Sequence, residues 1–197
     1  MDALIVIDMQ PDFCPGGALA VAGGDDIVAP INAMMDRFGI VVATQDWHPA
    51  DHSSFADVQG QPPYSQMEMP YGPQVLWPRH CVQGTLGATL HPKLRSDRAD
   101  LILRKGFRPE IDSYSAFFEN DRVTPTGLDG YLRNRGVTDL VLCGLATDFC
   151  VAYSAMDAAK AGYRVRVAMN ACRAIDLNGS LALACDAMRA SGVILEE

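Results

Sequence analysis

The stretch DLVLCGLATDFCVAYSAMDAAKAGYRVRVAM (139–169) contains the pattern that decides the fold. Its first part, 139–145, is an apolar run rich in Leu and Val, which is typical of a strand that is covered on both faces. Small and apolar side chains follow at helical spacing over 147–162, and another apolar run covers 163–169. A strand, a helix and a second strand in this order predict parallel strand pairing.

The same alternation extends over the rest of the chain. Further strand-like runs cover 3–8, 39–46, 100–105 and 192–196. Further helical stretches cover 30–38, 125–136 and 180–192. This pattern predicts a three-layer α/β/α sandwich with a mostly parallel central sheet. A chain of 197 residues suits one domain over 1–197. Residues 47–99 hold seven of the twelve prolines and both tryptophans, and we expect an irregular functional segment there.

Composition argues against several classes of protein. Hydrophobic residues make up 49% of the chain and charged residues 20%, which argues against a disordered protein. The net charge of -8 disfavours a nucleic-acid binder. No apolar run has the length of a membrane span or follows a basic start, so we expect a cytoplasmic protein with no membrane partner. The six cysteines are widely spaced, and we expect reduced thiols. Monomer and homo-oligomer both remain open.

Polar side chains stand at the ends of four predicted strands. Three runs end at Asp8, Asp46 and Lys105, and a fourth leads to Cys150 near a helix start. Parallel neighbours would bring these groups into one cleft. Taken alone, such an Asp is usually a turn or cap residue, such a Lys is usually a solvated strand exit, and such a Cys is more often a small core residue than a nucleophile. A helix start and an ammonium favour a thiolate, and a carboxylate can pass a proton to a leaving amine. Asp8, Lys105 and Cys150 would then form a thiol site for acyl transfer from an amide.

Histidines and a carboxylate near the second of these strands indicate a metal site. Asp46 and His48 are two residues apart, so in extended backbone both side chains point to one side. His80 is the candidate third ligand, and an Asp/His/His set suits a transition metal with open positions. His52 is either a fourth ligand or a residue of the surrounding shell or rim. His91 is expected at the surface or in a turn.

Five motifs together resemble the nicotinamidases of the isochorismatase-like cysteine hydrolase family. They are spread over essentially the whole chain: LIVIDMQPDFCPGGALAV, TQDWHPADHSSF, WPRHCVQGT, KGF with DSYSAFF, and GLATDFCV. The resemblance implies the family's fold and the hydrolysis of nicotinamide to nicotinate and ammonia in NAD salvage, commonly with pyrazinamide as a second substrate. It also implies one divalent transition metal ion, with zinc favoured over iron or manganese.

The resemblance further implies roles for individual residues. It implies that Asp8 is the proton shuttle, Lys105 its charge partner and Cys150 the nucleophile. The metal ligands that it implies are Asp46, His48 and His80. The implied backbone N–H donors to the oxyanion are those of Ala146 and Cys150, and the implied pocket walls are Phe13, Trp77 and Tyr114. A cis peptide bond is expected before Thr147.

Three rival functions belong to the same fold. An isochorismatase proper cleaves a vinyl ether and lacks the nucleophilic cysteine, so Cys150 argues against it. Amidases that act on carbamoyl or ureido compounds typically lack the metal ligands, and the motifs DWH and RHC argue against them. A non-enzymatic paralogue that binds a small molecule would usually have lost one of the three catalytic residues, and none is missing.

Overall fold

A central sheet of six parallel strands organises the structure, a computed structural model that describes residues 1–197. The eight strands of the chain are β1 (Asp2–Ile7), β2 (Val41–Asp46), β3 (Gln66–Met69), β4 (Gly72–Val75), β5 (Leu101–Lys105), β6 (Asp139–Leu145), β7 (Arg164–Arg173) and β8 (Ile194–Glu196). The central sheet has the order β5-β2-β1-β6-β7-β8, while β3 and β4 form a separate antiparallel hairpin. The predicted parallel sheet is confirmed.

Helices cover the sheet. The four α-helices are α1 (Val28–Met35), α2 (Leu128–Asn134), α3 (Ala152–Lys160) and α4 (Ser180–Ala190). Strands β1, β2 and β6 are buried at almost every position, because helices and loops exclude water from both of their faces. Helix α1 packs against β1, and α3 packs against β7 and α4. The predicted three-layer α/β/α class is confirmed, and no helix combines the length and the apolar character needed to cross a membrane.

The first helix differs from its predicted bounds. It begins at Val28 and ends at Met35, whereas 30–38 was expected with Pro30 in the first turn. Pro30 is the third helical residue and therefore lies in the first turn, as expected, although the helix begins two residues earlier. The structure tolerates it there because the first N–H groups of a helix have no intrahelical acceptor in any case.

Residues 47–99 are more regular than expected, because they contain the β3–β4 hairpin. Residues Gln66 and Val75 pair at its open end, and Met69 and Gly72 pair at its turn. Pro73 lies within β4, and proline within an apolar run argues against a strand. Both strands of an isolated hairpin are edge strands, so Pro73 removes no hydrogen bond from the central sheet and is tolerated in β4. The presence of this proline is the reason that the sequence pattern did not predict the hairpin.

Candidate active site

The strand order places the carboxyl ends of β5, β2, β1 and β6 side by side, so the residues that end or follow these strands meet at one edge. Nζ of Lys105 lies 2.8 Å from Oδ2 of Asp8 and 3.4 Å from Sγ of Cys150. All three side chains are buried. The structure therefore brings Asp8, Lys105 and Cys150, which we call the buried trio, into contact.

Further bonds hold the buried trio in place. The hydroxyl of Thr44 donates to Oδ1 of Asp8 at 2.6 Å and accepts from the backbone N–H of Asp8 at 3.1 Å. The ammonium of Lys105 donates to the carbonyl of Ser113 at 3.0 Å and to Oδ1 of Asp46. The ammonium is thus surrounded by two carboxylates and a carbonyl, which is the kind of pairing that a buried charge requires.

Burial and these charges shift the pKa values of the trio. Burial raises the pKa of Asp8, although the ammonium of Lys105 opposes the shift. Burial alone would lower the pKa of Lys105, but Asp46 and Asp8 raise it well above its usual range. Burial also raises the pKa of Cys150 well above its usual range, with Lys105 opposing. Resting Cys150 is therefore a thiol. The expected stabilisation of a thiolate by Lys105 is outweighed by desolvation.

The turn that carries Cys150 differs from the expected helix start. Residues Thr147–Val151 form a π-helical turn, and the regular helix α3 begins only at Ala152. The cis peptide bond joins Leu145 to Ala146, one bond earlier than expected. The N–H of Ala146 donates to no protein group. Ala146 and Cys150 both line the pocket described below.

Asp46, His48 and His80, which we call the ligand cluster, face one another beside the trio. Oδ2 of Asp46 lies 3.6 Å from Nε2 of His48 and 3.8 Å from Nε2 of His80. Nδ1 of His48 donates to the carbonyl of Gly106 at 2.8 Å, and Nδ1 of His80 donates to that of Pro78 at 2.8 Å. Because a carbonyl only accepts, the hydrogen of each ring is on Nδ1, and in the neutral form of each ring the lone pair is on Nε2, the atom that faces Asp46. Two imidazole nitrogens and a carboxylate, all buried and within 4.8 Å of one another, fit a divalent transition metal.

Backbone pairing delivers His80 to His48 across the irregular segment. The N–H of His48 donates to the carbonyl of Cys81 at 3.0 Å, and the N–H of Gln83 donates to the carbonyl of His48 at 2.8 Å. A carboxylate oxygen of Asp12 accepts from the N–H of Cys81 at 2.7 Å. Residues 80–83 thus form an isolated parallel bridge with His48, and this bridge places His80 next to it.

The other two histidines have clear positions. His52 is fully buried behind His48, with ring centroids 4.3 Å apart. Its Nδ1 accepts from Ser54, and its Nε2 lies 3.2 Å from the carbonyl of Ile111, so both nitrogens are engaged by protein groups. Burial and His48 lower the pKa of His52 to about 4, so it is neutral. His52 therefore does not lie at the rim of the site. Its contacts favour a position beside the metal ligands over the role of a fourth ligand. His91 lies in a partly exposed turn, as expected.

A small pocket connects the buried trio with the ligand cluster. Its aromatic walls include the predicted Phe13, Trp77 and Tyr114. Cys150 contributes to one side and His80 to another. Aromatic walls with a few polar groups between them suit a flat single-ring molecule.

Several residues of the site carry no role in the sequence prediction. Thr44 could have been found, because it precedes Asp46 by two residues in β2 and therefore points to the same side. Phe149 and Asp112 line the pocket from within recognised motifs. Ser113 and Gly106 contribute only backbone carbonyls to Lys105 and His48, and a carbonyl leaves no signal in the residue type.

Comparisons with known proteins agree with this arrangement. The isochorismatase domain family matches residues 2–196. A nicotinamidase of Acinetobacter baylyi is 57% identical over 97% of this chain and 90% of its own. A nicotinamidase of Escherichia coli is 45% identical over 89% of this chain and 84% of its own.

Solved structures extend the likeness to three dimensions. A nicotinamidase and pyrazinamidase from Acinetobacter baumanii superposes with a TM-score of 0.98 at 51% identity, covering 100% of this chain and 95% of the other. PnC1 from L. infantum in complex with nicotinate superposes with a TM-score of 0.88 at 40% identity, covering 100% of this chain and 92% of the other. Pyrazinamidase of Pyrococcus horikoshii in complex with zinc superposes with a TM-score of 0.80 at 36% identity, covering 100% of this chain and 98% of the other. The family match spans nearly the whole chain, and the protein therefore belongs to the isochorismatase family.

Proposed function

We propose that this protein is a nicotinamidase, which hydrolyses nicotinamide to nicotinate and ammonia and accepts pyrazinamide as a second substrate. The observation that carries the proposal is the contact of Lys105 with both Asp8 and Cys150 beside an aromatic pocket that also reaches the ligand cluster. The nicotinamidases of Acinetobacter baylyi and Escherichia coli support the same reaction, as does the nicotinate bound by PnC1.

The first half of the proposed reaction forms a thioester. Asp8 takes the proton from Sγ of Cys150 as the sulfur attacks the amide carbon and a C–S bond forms. The N–H groups of Ala146 and Cys150 stabilise the negative charge on the amide oxygen. The C–N bond then breaks, Asp8 returns the proton to the leaving nitrogen, and ammonia departs.

The second half hydrolyses the thioester. Asp8 takes a proton from water as the oxygen attacks the acyl carbon, and the C–S bond breaks. The proton passes to the sulfur and restores the thiol of Cys150, and the product leaves as nicotinate after its carboxyl proton passes to water. Lys105 remains protonated throughout, because Asp46 and Asp8 hold its pKa well above the usual range. Its fixed charge offsets that of Asp8 and keeps the carboxylate close to the sulfur.

The ligand cluster would hold one divalent metal ion through Asp46, His48 and His80, and zinc is our choice because the pyrazinamidase of Pyrococcus horikoshii contains it. When bound, such an ion offers open positions to the lone pair of the pyridine nitrogen, which lies meta to the amide. The aromatic walls Phe13, Trp77 and Tyr114 would hold the flat ring between them.

The deciding experiment measures ammonia release from nicotinamide and from benzamide, with metal-loaded and chelator-treated protein. Benzamide has nearly the same shape but lacks the ring nitrogen. We expect a strong preference of the loaded enzyme for nicotinamide, expressed mainly in KM, and a sharp fall in this preference without metal. Equal kcat/KM values for the two amides in the loaded enzyme would contradict the proposal. Elemental analysis of purified protein identifies the metal.

We propose further that residues 1–197 act as one catalytic domain. The trio consists of Asp8, Lys105 and Cys150, which are far apart in the chain. Segment 47–99 supplies two residues of the ligand cluster, His48 and His80, and the pocket wall Trp77. Limited proteolysis of the native protein tests this, because fragments lacking any of these parts should be inactive.

A further inference from the structure

Gln74 is a polar side chain in an unexpected place. It belongs to the β3–β4 hairpin, in which β3 is largely exposed, and yet its side chain is fully buried. Glutamine is mostly found on protein surfaces, and burial of its amide is costly unless both polar atoms have partners. Such a group needs an explanation in terms of what it holds.

The amide of Gln74 joins the hairpin to the loop that follows β5. Its Nε2 lies 2.8 Å from each of three acceptors, Oδ2 of Asp112, Oη of Tyr114 and the carbonyl of Val75, and shares its two hydrogens among them. Its Oε1 accepts from Nδ2 of Asn120 at 2.9 Å. The phenol oxygen of Tyr114 also accepts from Nε1 of Trp77 at 3.1 Å. One side chain therefore connects two chain segments that are about 40 residues apart.

Three residues of this network line the substrate pocket, namely Asp112, Tyr114 and Trp77, while Gln74 itself lies behind them. We propose that Gln74 is a positioning residue for substrate binding, which fixes the two aromatic walls before nicotinamide arrives. A preformed wall improves affinity because binding no longer has to order these side chains. The inference deepens the proposed function, since it uses the pocket assigned there.

The chemistry requires an amide at this position. Asp112 is buried, forms no ion pair with lysine or arginine, and as a carboxylate only accepts hydrogen bonds. Asn120 on the other side donates. Only a group that donates at one end and accepts at the other satisfies both, and glutamine does so without adding charge. Glutamate has nearly the same shape but would place an acceptor against Asp112.

Two substitutions separate positioning from simple filling of space. Gln74→Leu keeps the volume and removes both polar atoms, and Gln74→Glu keeps the shape and removes the donor. The matched control is Gln66→Leu, which removes an exposed glutamine from the other strand of the same hairpin. All variants are compared at equal metal loading, with kcat and KM for nicotinamide and with thermal unfolding.

We expect both Gln74 variants to raise KM about 10- to 100-fold, which corresponds to the loss of one or two buried hydrogen bonds. The change in kcat should stay within about threefold, because the buried trio is untouched. Gln74→Glu should be at least as impaired as Gln74→Leu despite its shape. The control should behave like the wild type. Lower unfolding temperature with unchanged KM would overturn the inference, as would a Gln74→Glu variant with normal KM.

A spectroscopic measurement keeps the test independent of turnover. The chain has two tryptophans, so in a Trp47→Phe background the emission reports on Trp77 alone. Trp77 is buried, and we expect acrylamide to quench it more strongly in Gln74→Leu than in the background protein or the Gln66→Leu control. Unchanged quenching would contradict the positioning role. If the wild type does not hydrolyse nicotinamide, the proposed function fails, while this comparison still decides the role of Gln74.

Discussion

Asp46 is the residue that connects the buried trio with the ligand cluster. Its Oδ1 pairs with Lys105, and its Oδ2 faces His48 and His80. Burial alone would raise the pKa of Asp46, but Lys105 and His48 hold it well below its usual range. The carboxylate is therefore ionised at neutral pH. A single side chain can thus hold the ammonium of Lys105 in place and offer an anionic ligand to a metal.

At the residue scale, Cys150→Ala tests the proposed nucleophile. We expect turnover of nicotinamide to fall by roughly 10,000-fold or more, because no other group can form the thioester. The unfolding temperature should change little, since only one sulfur atom is lost. Cys143→Ala is the control, because Cys143 is equally buried in β6 and does not line the pocket. Substantial activity in Cys150→Ala would refute the role.

Asp8→Asn tests the proton shuttle in the same assay. An amide of the same size cannot take the thiol proton, so kcat should fall about 100- to 10,000-fold. Asp2→Asn, at the exposed opposite end of β1, should leave kcat unchanged. A near-normal kcat for Asp8→Asn at neutral pH would mean that another base serves Cys150.

At the element scale, the loop after β5 is shaped by its contact with His48. Gly106 has a φ of +64°, and a Cβ there would lie 2.4 Å from Cε1 of His48. Its carbonyl also holds Nδ1 of the same ring. Glycine is needed here both for the backbone conformation and for the close approach of the imidazole.

Gly106→Ala should therefore weaken the ligand cluster more than it weakens the fold. Gly136→Ala is a matched control, because Gly136 has a φ of +69° and open space around its Cα. Both variants should lose about 1 kcal/mol of unfolding free energy from backbone strain. Only Gly106→Ala should lower zinc affinity, by roughly 10- to 100-fold as for other residues that orient a ligand. Competition with a chromophoric chelator measures this, and equal affinity in the two variants would disprove the contact's importance.

At the scale of the whole molecule, the ligand cluster joins the end of β2 to the distant segment around His80. Metal binding to the folded protein alone should therefore raise its stability. At a free zinc concentration of about 100 times Kd, the free energy of unfolding should rise by about 2.7 kcal/mol. Calorimetry with and without a chelator checks the shift, and His48→Ala should abolish it. A shift of the same size in that variant would show that zinc binds elsewhere.

The sequence alone determined the fold class and the candidate residues of the site. Continuous Val, Ile and Leu runs such as 139–145 indicate strands covered on both faces, because only burial makes such a run favourable. The polar residues that end these runs, Asp8, Asp46 and Lys105, could be predicted to converge, because parallel strands all end at the same edge of a sheet. Both signals depend on residues that are neighbours in the chain, so they can be recognised from the sequence alone.

Only the tertiary structure decided the order of the strands, the π-helical turn around Cys150 and the bonds behind the pocket. Strand order depends on how crossover helices pack, and no single run encodes it. The thiol state of Cys150 depends on desolvation by the whole surrounding protein, which outweighs the nearby ammonium of Lys105. The burial of Gln74 depends on Asp112, Tyr114 and Asn120, which lie about 40 residues away in the chain. A residue type states which bonds a side chain can make, whereas its partners are determined by the packing of distant segments.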